Sequence, residues 1–255
     1  MKEELQNYQN NDRLIRSYGR IKSRRLSDHK SSLLENISAS YEISAGCFAE
    51  KNITNNIDAL ENQASTTEDS INSAQKNSFS KVSFEIGFGF GDFIFAKAQA
   101  NPNQMFLGCE PHINGVVNVL AKLEENPLSN IKISRDDARE LLAKFPDNFF
   151  DEVYILFPDP WPKIKHFKRR LINVDLLDNL LARKLKLGGK LIIATDHDSY
   201  KTWILAEILK SQKFNWQAAS KQDWQVFPSD WIETKYQKKA QREGRVSVIF
   251  NLERI

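Results

Sequence analysis

Cysteine is nearly absent: Cys47 and Cys109 are the only two in 255 residues. Two thiols cannot build a disulfide framework, and neither stands at metal-ligand spacing. His29, His112, His166 and His197 form no ligand cluster, so no metal is expected. Long apolar runs are missing as well. The longest strongly apolar stretch, Val153 to Phe157, is far short of the ~20 residues that cross a bilayer. The opening residues MKEELQNYQNND lack the apolar core of a secretory signal. The expectations are therefore no membrane association and a reducing cytoplasm. What is present, 41% hydrophobic and 27% charged residues, is ordinary soluble composition with enough apolar side chains for a sizeable core.

The net charge of +3 conceals a segregation. Residues 13–30 hold seven Lys/Arg against Asp28, 163–170 hold five and no acid, and 235–245 hold five against Glu243. Together these stretches carry +15, leaving −12 on the rest of the chain. Basic charge confined to short segments of an otherwise acidic protein suits a polyanion-binding surface, because phosphate neutralisation supplies most nucleic-acid affinity. Any one such run also fits a merely solvated face.

Residues 1–78 contain no proline or tryptophan and only Gly19 and Gly46 as glycines. Asn11 to Glu35 supports a basic helix or arm, and about 42–78 reads as a linker or loosely ordered insert. Two regions are expected: a basic N-terminal arm with a polar, partly disordered linker over 1–77, and a globular domain over 78–255.

In the globular part the hydrophobic period alternates. Strands are predicted at Lys81–Ile86, Gln104–Cys109, Ile131–Ser134, Glu152–Phe157 and Lys190–Ala194. The intervening helices are Asp92–Ala100, Ile113–Glu125, Ala138–Lys144, Val174–Lys184 and Tyr200–Lys210. Trp216–Phe227 and Val246–Leu252 read as an antiparallel pair. Repeated strand–helix units imply a doubly wound, mostly parallel α/β sheet of seven strands. Ligands of such sheets bind beyond the carboxyl ends of the strands.

The strand ends carry unusual chemistry. After the first strand comes Glu85-Ile-Gly87-Phe-Gly89-Phe-Gly91-Asp92, whose alternate glycines permit a tight turn and close ligand approach. The spacing departs from the dinucleotide fingerprint, which disfavours a nicotinamide dehydrogenase. It resembles the first motif of class I S-adenosylmethionine-dependent methyltransferases, although a plain strand–helix turn has the same composition. Glu110 ends the second strand, as an acceptor for ribose hydroxyls or as a surface acid before Pro111. Asp137 follows the third, as an acceptor for an adenine amino group or as a helix N-cap. The fourth runs into Phe157-Pro158-Asp159-Pro160-Trp161-Pro162-Lys163, then Lys165, His166, Phe167, Lys168, Arg169 and Arg170. Prolines on both sides hold the Asp159 carboxylate at the sheet edge.

In order and spacing, EIGFGFGD, CEPH, DDAREL, FPDPWPKIKHFKRR, ATDHDSY and TKYQKKAQREGR resemble the bacterial tRNA (guanine-N7)-methyltransferase family. The resemblance covers about 78–255, and IRSYGRIKSRRLS resembles that family's N-terminal arm. It implies a Rossmann-like fold, S-adenosyl-L-methionine as cofactor, and tRNA, methylated at a variable-loop guanine, as partner. Glu85, Gly87, Gly89, Gly91, Glu110, Asp137 and Asp159 fall at cofactor positions, with Asp159 also at the catalytic one. Lys163, Asp196, Thr234, Lys235, Tyr236 and Gln237 fall at substrate positions. Lys165, His166, Phe167, Lys168, Arg169 and Arg170 fall on the RNA-interacting run, joined by Arg16, Arg20, Arg24 and Arg25 of the arm. Gln237 departs from the family's usual glutamate, so an amide replaces a carboxylate there. Trp161 suits base stacking or burial between prolines. An inactive RNA-binding protein on this fold and a methyltransferase for a small molecule or protein are the competing readings. No obligate protein partner is expected.

Overall fold

The computed structural model describes residues 25–44, 47 and 79–255. Helices α1 (Asp28–Asn36) and α2 (Ser38–Tyr41) precede an alternation of β1 (Lys81–Ile86), α3 (Asp92–Ala100), β2 (Gln104–Cys109), α4 (Ile113–Glu125), β3 (Ile131–Ser134), α5 (Ala138–Ala143) and β4 (Phe150–Leu156). A 3-10 turn (Ile164–Arg169) and a helical stretch, π-helical over Leu176–Leu181 and ending with Ala182–Lys184, lead to β5 (Leu185–Thr195) and α6 (Asp198–Lys210). The chain closes with β6 (Phe214–Trp216), α7 (Gln222–Gln225), α8 (Lys235–Arg242) and β7 (Val248–Arg254).

The seven strands form one sheet in the order β3-β2-β1-β4-β5-β7-β6, with β7 antiparallel to both its neighbours and the other pairings parallel. Chain order reverses between β1 and β4, which places a ligand crevice beyond their carboxyl ends. Alternation along β4 sorts its side chains to opposite faces. Val153 and Ile155 join the large core beneath α5, Tyr200 and the phenylalanines 145, 149 and 150. Tyr154 and Leu156 join Phe93, Ile192 and Ile249 on the other face. The α4 face of Val116, Val117, Val119, Leu120 and Leu123 is fully buried against β2 and β3 side chains. No helix among the described residues is long and apolar enough to cross a membrane.

Three findings add to or change what the sequence suggests. First, Leu33, Ile43 and Cys47, which precede residue 78, are buried in the core. Ile43 N donates to Ile133 O at 3.0 Å, extending the β3 edge. A few apolar residues suffice for this docking, and polar neighbours mask them in an averaged composition. Second, the strand at Trp216–Phe227 ends at Trp216, because Asp223 draws Ala219 N and Ser220 N (3.0 and 2.7 Å) into a turn that leads to α7. Third, β5 starts at Leu185 and carries Gly188-Gly189 within it, where pairing with β4 shifts register and Gly188 takes φ +73°.

Leu33→Ala tests the docking of α1. Removing a side chain that is 1% exposed costs about 2–3 kcal/mol, or roughly 4–10 °C in melting temperature. A melting temperature unchanged within 1 °C contradicts the placement of α1 in the folded unit.

Candidate active site

At the switch point the glycine run makes three consecutive demands for left-handed backbone: Gly87, Gly89 and Gly91 have φ of +73°, +54° and +71°. The loop thereby turns back over the β1 end, with Gly87 N and Phe88 N donating to Cys109 O (2.8 and 3.3 Å) and Gly91 N to Phe88 O (2.8 Å). Glu85, the residue before this turn but one, is 4% exposed, and its Oε2 has no hydrogen-bond partner. Burial, then the charge of Glu110, pushes its carboxyl up to about 8, against a backbone hydrogen bond from Ile94. Glu110 clamps the loop, accepting from Gly89 N at 2.9 Å and His112 N at 2.8 Å. One bond to each oxygen leaves acceptor capacity for a ligand.

Gly115, in the first turn of α4, went unnoticed in the sequence. A β-carbon there would overlap the Gly89 carbonyl oxygen and stand 2.8 Å from Glu110 Cγ. A glycine inside a helical pattern carries little signal of such an approach. Asp137 caps α5, accepting from Arg139 N at 2.9 Å, and takes the Arg139 guanidinium at 2.9 and 2.7 Å. Burial disfavours its charge, yet these bonds outweigh burial and hold the carboxyl below its usual range.

Asp159 is exposed beyond β4, between two residues of left-handed backbone, Phe157 (φ +54°) and Trp161 (φ +42°). Such non-glycine conformations cost on the order of 1–3 kcal/mol each and persist only where surroundings impose them. Phe157 N is held by Ala194 O at 2.8 Å. Trp161 lies edge-on to His166 (5.7 Å) and under the Arg169 guanidinium (4.9 Å), so its environment is intramolecular.

The opposite wall comes from the chain before β7. Trp231 packs on Phe93 (5.2 Å), and Lys97 pairs with Asp230 at 2.6 Å, anchoring this segment to α3. Thr234 caps α8 through Gln237 N (3.1 Å), with Lys235 Nζ 3.8 Å from the Phe90 ring centre. Tyr236 borders Gly89, and burial followed by the charges of Glu110 and Asp159 raises its phenol. A cleft open to solvent lies between Glu85 and Gly87 and the trio Thr234, Lys235 and Tyr236. Asp196, beyond β5, accepts from Arg245 Nε at 2.6 Å.

Several expected contacts are placed otherwise. Gln237 is buried, and its Oε1 accepts from Trp231 Nε1 at 2.7 Å, so the amide oxygen braces the wall rather than facing a base. The run after Asp159 splits because its 3-10 turn distributes side chains to both sides. Lys163, Lys165 and Lys168 are exposed. Part-buried Phe167 packs toward Trp203 (5.7 Å), and Arg170 is 3% exposed with its guanidinium directed into the protein, which removes Arg170 from an RNA-facing surface. Arg25 is exposed, while Arg16, Arg20 and Arg24 lie outside the described residues.

A family model described as a putative methyltransferase matches residues 79–249. A tRNA (guanine-N(7)-)-methyltransferase of Zymomonas mobilis is 39% identical over 174 residues, 68% of this chain and 75% of the relative. The chain belongs to the tRNA (guanine-N7)-methyltransferase family. Members of the same name from Hyphomonas neptunium (42% identical; 61% of this chain, 70% of the relative) and Wolbachia pipientis (40%; 69% and 79%) agree. An antibiotic-related methyltransferase of known structure shares the fold, with a TM-score of 0.50 and 19% identity over 73% of this chain and 97% of that one. The family's members are enzymes, and the glycine loop and Asp159 segment lie within the matched residues.

Proposed function

We propose that this chain transfers a methyl group from S-adenosyl-L-methionine to N7 of a variable-loop guanine in tRNA. The observation that carries the reading is the meeting, at one sheet switch point, of the glycine cradle over Glu85 with Asp159 in its strained turn. The cradle fits the cofactor: a buried carboxylate oxygen without a partner stands beside three left-handed glycines, where side chains would fill the space. Glu85, Gly87, Gly89, Gly91, Glu110 and Asp137 would hold it. When bound, the cofactor supplies an electrophilic methyl group on a sulfonium centre.

Guanine N7 has an exposed lone pair and no hydrogen, so no residue must first remove a proton there. Orientation is the main task. Lys163, Asp196, Thr234, Lys235 and Tyr236 are assigned to hold the guanosine, with Asp196 supplying the carboxylate that Gln237 does not. Methylation leaves the base cationic, and the Asp159 carboxylate stabilises that charge electrostatically. N7 lies in the deep groove of A-form RNA, so shape and phosphate contacts select the substrate. Exposed Lys165, Lys168, Lys238 and Arg242 on the two sides of the cleft suit that role.

Labelled methyl transfer to unmodified tRNA transcripts tests the reading. Transfer that weakens steeply with added salt is expected. Salt-insensitive transfer to a protein or small-molecule acceptor would overturn it.

The Glu85 environment adds a pH dependence. With its carboxyl raised from 4.5 to about 8, Glu85 is protonated at pH 7 in the free protein. A cationic ligand in the cradle favours the carboxylate, so binding at pH 7 releases close to one proton. Release fades above pH 8, where Glu85 is already ionised, and toward pH 4.5, where the ordinary carboxyl is itself protonated. Calorimetric titration of S-adenosyl-L-methionine in buffers of different ionisation heat measures this. Zero release at pH 7 contradicts the assignment.

A further inference from the structure

We infer that Arg170 is a positioning residue for Asp159 and Asp196, rather than a contact to RNA. This inference rests on the function proposed above and deepens it. Arg170 closes a basic run, yet it is 3% exposed, and every part of its guanidinium is engaged within the protein. Nε donates to Pro160 O at 2.9 Å, one residue beyond Asp159. Nη1 and Nη2 donate to Ser199 O at 3.2 Å and Ser199 Oγ at 2.8 Å, three residues beyond Asp196. The ring centres of Phe167, Tyr200 and Trp203 lie 3.7, 5.0 and 5.2 Å from its Cζ. Burial lowers its pKa below the ordinary arginine range, against the charge of Tyr200, and the group keeps its proton at any physiological pH.

The cage is itself fixed. Tyr200 is fully buried and its hydroxyl accepts from Ile172 N at 3.2 Å. Trp203 Nε1 donates to Ile172 O at 2.7 Å. A planar fork on this base spans the Pro-Asp-Pro turn after β4 and the first turn of α6 after β5. It therefore sets the separation of the two loops that carry exposed Asp159 and part-buried Asp196. The turn it braces includes Trp161, whose left-handed backbone requires imposition from outside. A lysine has three donors on one compact ammonium at the end of a flexible stem, so it lacks the planar fork that reaches Pro160 O and Ser199 together.

R170K is the test, read by melting temperature, by tRNA affinity across a salt series, and by kcat at saturating tRNA and cofactor. The expected variant melts within a few degrees of wild type, binds tRNA equally well, and turns over at least tenfold more slowly. It also exchanges backbone hydrogen faster over residues 157–165. R170M sharpens the comparison by removing the charge: a buried brace leaves the logarithmic salt slope unchanged, whereas a phosphate contact lowers it by about one. A kcat within twofold of wild type in R170K, or a lowered salt slope in R170M, overturns the inference. If these variants do not fold, S199A at an exposed position takes their place: slower turnover with unchanged tRNA affinity supports it, and unchanged kcat overturns it. Failure of the wild type to methylate tRNA would sink the proposed function, and the exchange comparison would still decide whether Arg170 holds the turn.

Discussion

Asp159→Asn lowers the single-turnover rate of methyl transfer to tRNA by about 10²-fold or more, because removing one preorganised electrostatic group from a reacting centre typically costs 10²–10³. The substitution keeps size and shape, so the turn between Pro158 and Pro160 persists and only the charge is lost. Cofactor affinity falls by less than the rate, since Glu85 and Glu110 remain. This pattern separates charge stabilisation from proton removal: N7 has no proton to lose, so the variant's rate shows no new dependence on pH near neutrality. Rapid-quench single-turnover measurements at several pH values check it. A rate close to wild type would show that Asp159 does not stabilise the cationic base.

Gly115→Ala weakens cofactor binding by roughly 10- to 100-fold. The added methyl group meets the Gly89 carbonyl, and overpacking of this kind costs about 1–3 kcal/mol. Relief requires the glycine loop to lift or Glu110 to swing, and either movement breaks the bond from Gly89 N to Glu110 Oε2. Gly188→Ala is the informative contrast. Gly188 has a left-handed φ of +73°, unlike helical Gly115, and a β-carbon there meets nothing within 4 Å, so Gly188→Ala loses some stability and no affinity. Calorimetry on both variants decides the point. Equal affinities for Gly115→Ala and wild type would mean that the cradle is not where the cofactor binds.

How much of this was legible depends on the kind of signal. The first three strands end where the apolar pattern places them, at Ile86, Cys109 and Ser134, because a buried parallel strand must be apolar and its exit must turn sharply; β4 runs Phe150–Leu156 rather than Glu152–Phe157, since Phe157 already takes left-handed backbone. Glu85, Glu110 and Asp137 were found as acids at strand ends, a pattern that sequence order alone displays. The sequence reads Arg170 as an RNA contact, and the structure buries it, because a run of charges records no direction and the chain through and after the 3-10 turn sends some members outward and others in. Gly115 left no trace, since its role arises only when α4 is laid against the glycine loop. Gln237 was read as a base contact; its partner Trp231 became visible only once the segment folded onto α3. The docking of Leu33 and Ile43 escaped for a simpler reason: a few apolar residues among polar ones do not shift a composition average.

The central claim is that this chain methylates guanine N7 in the tRNA variable loop. Chemical cleavage at 7-methylguanine, after reaction of tRNA transcripts with enzyme and S-adenosyl-L-methionine, tests it most directly. Cleavage is expected at one variable-loop guanine, absent with Asp159→Ala and absent when that guanine is replaced by adenine. Cleavage elsewhere in the tRNA, or cofactor binding without methylation of any transcript, would contradict it.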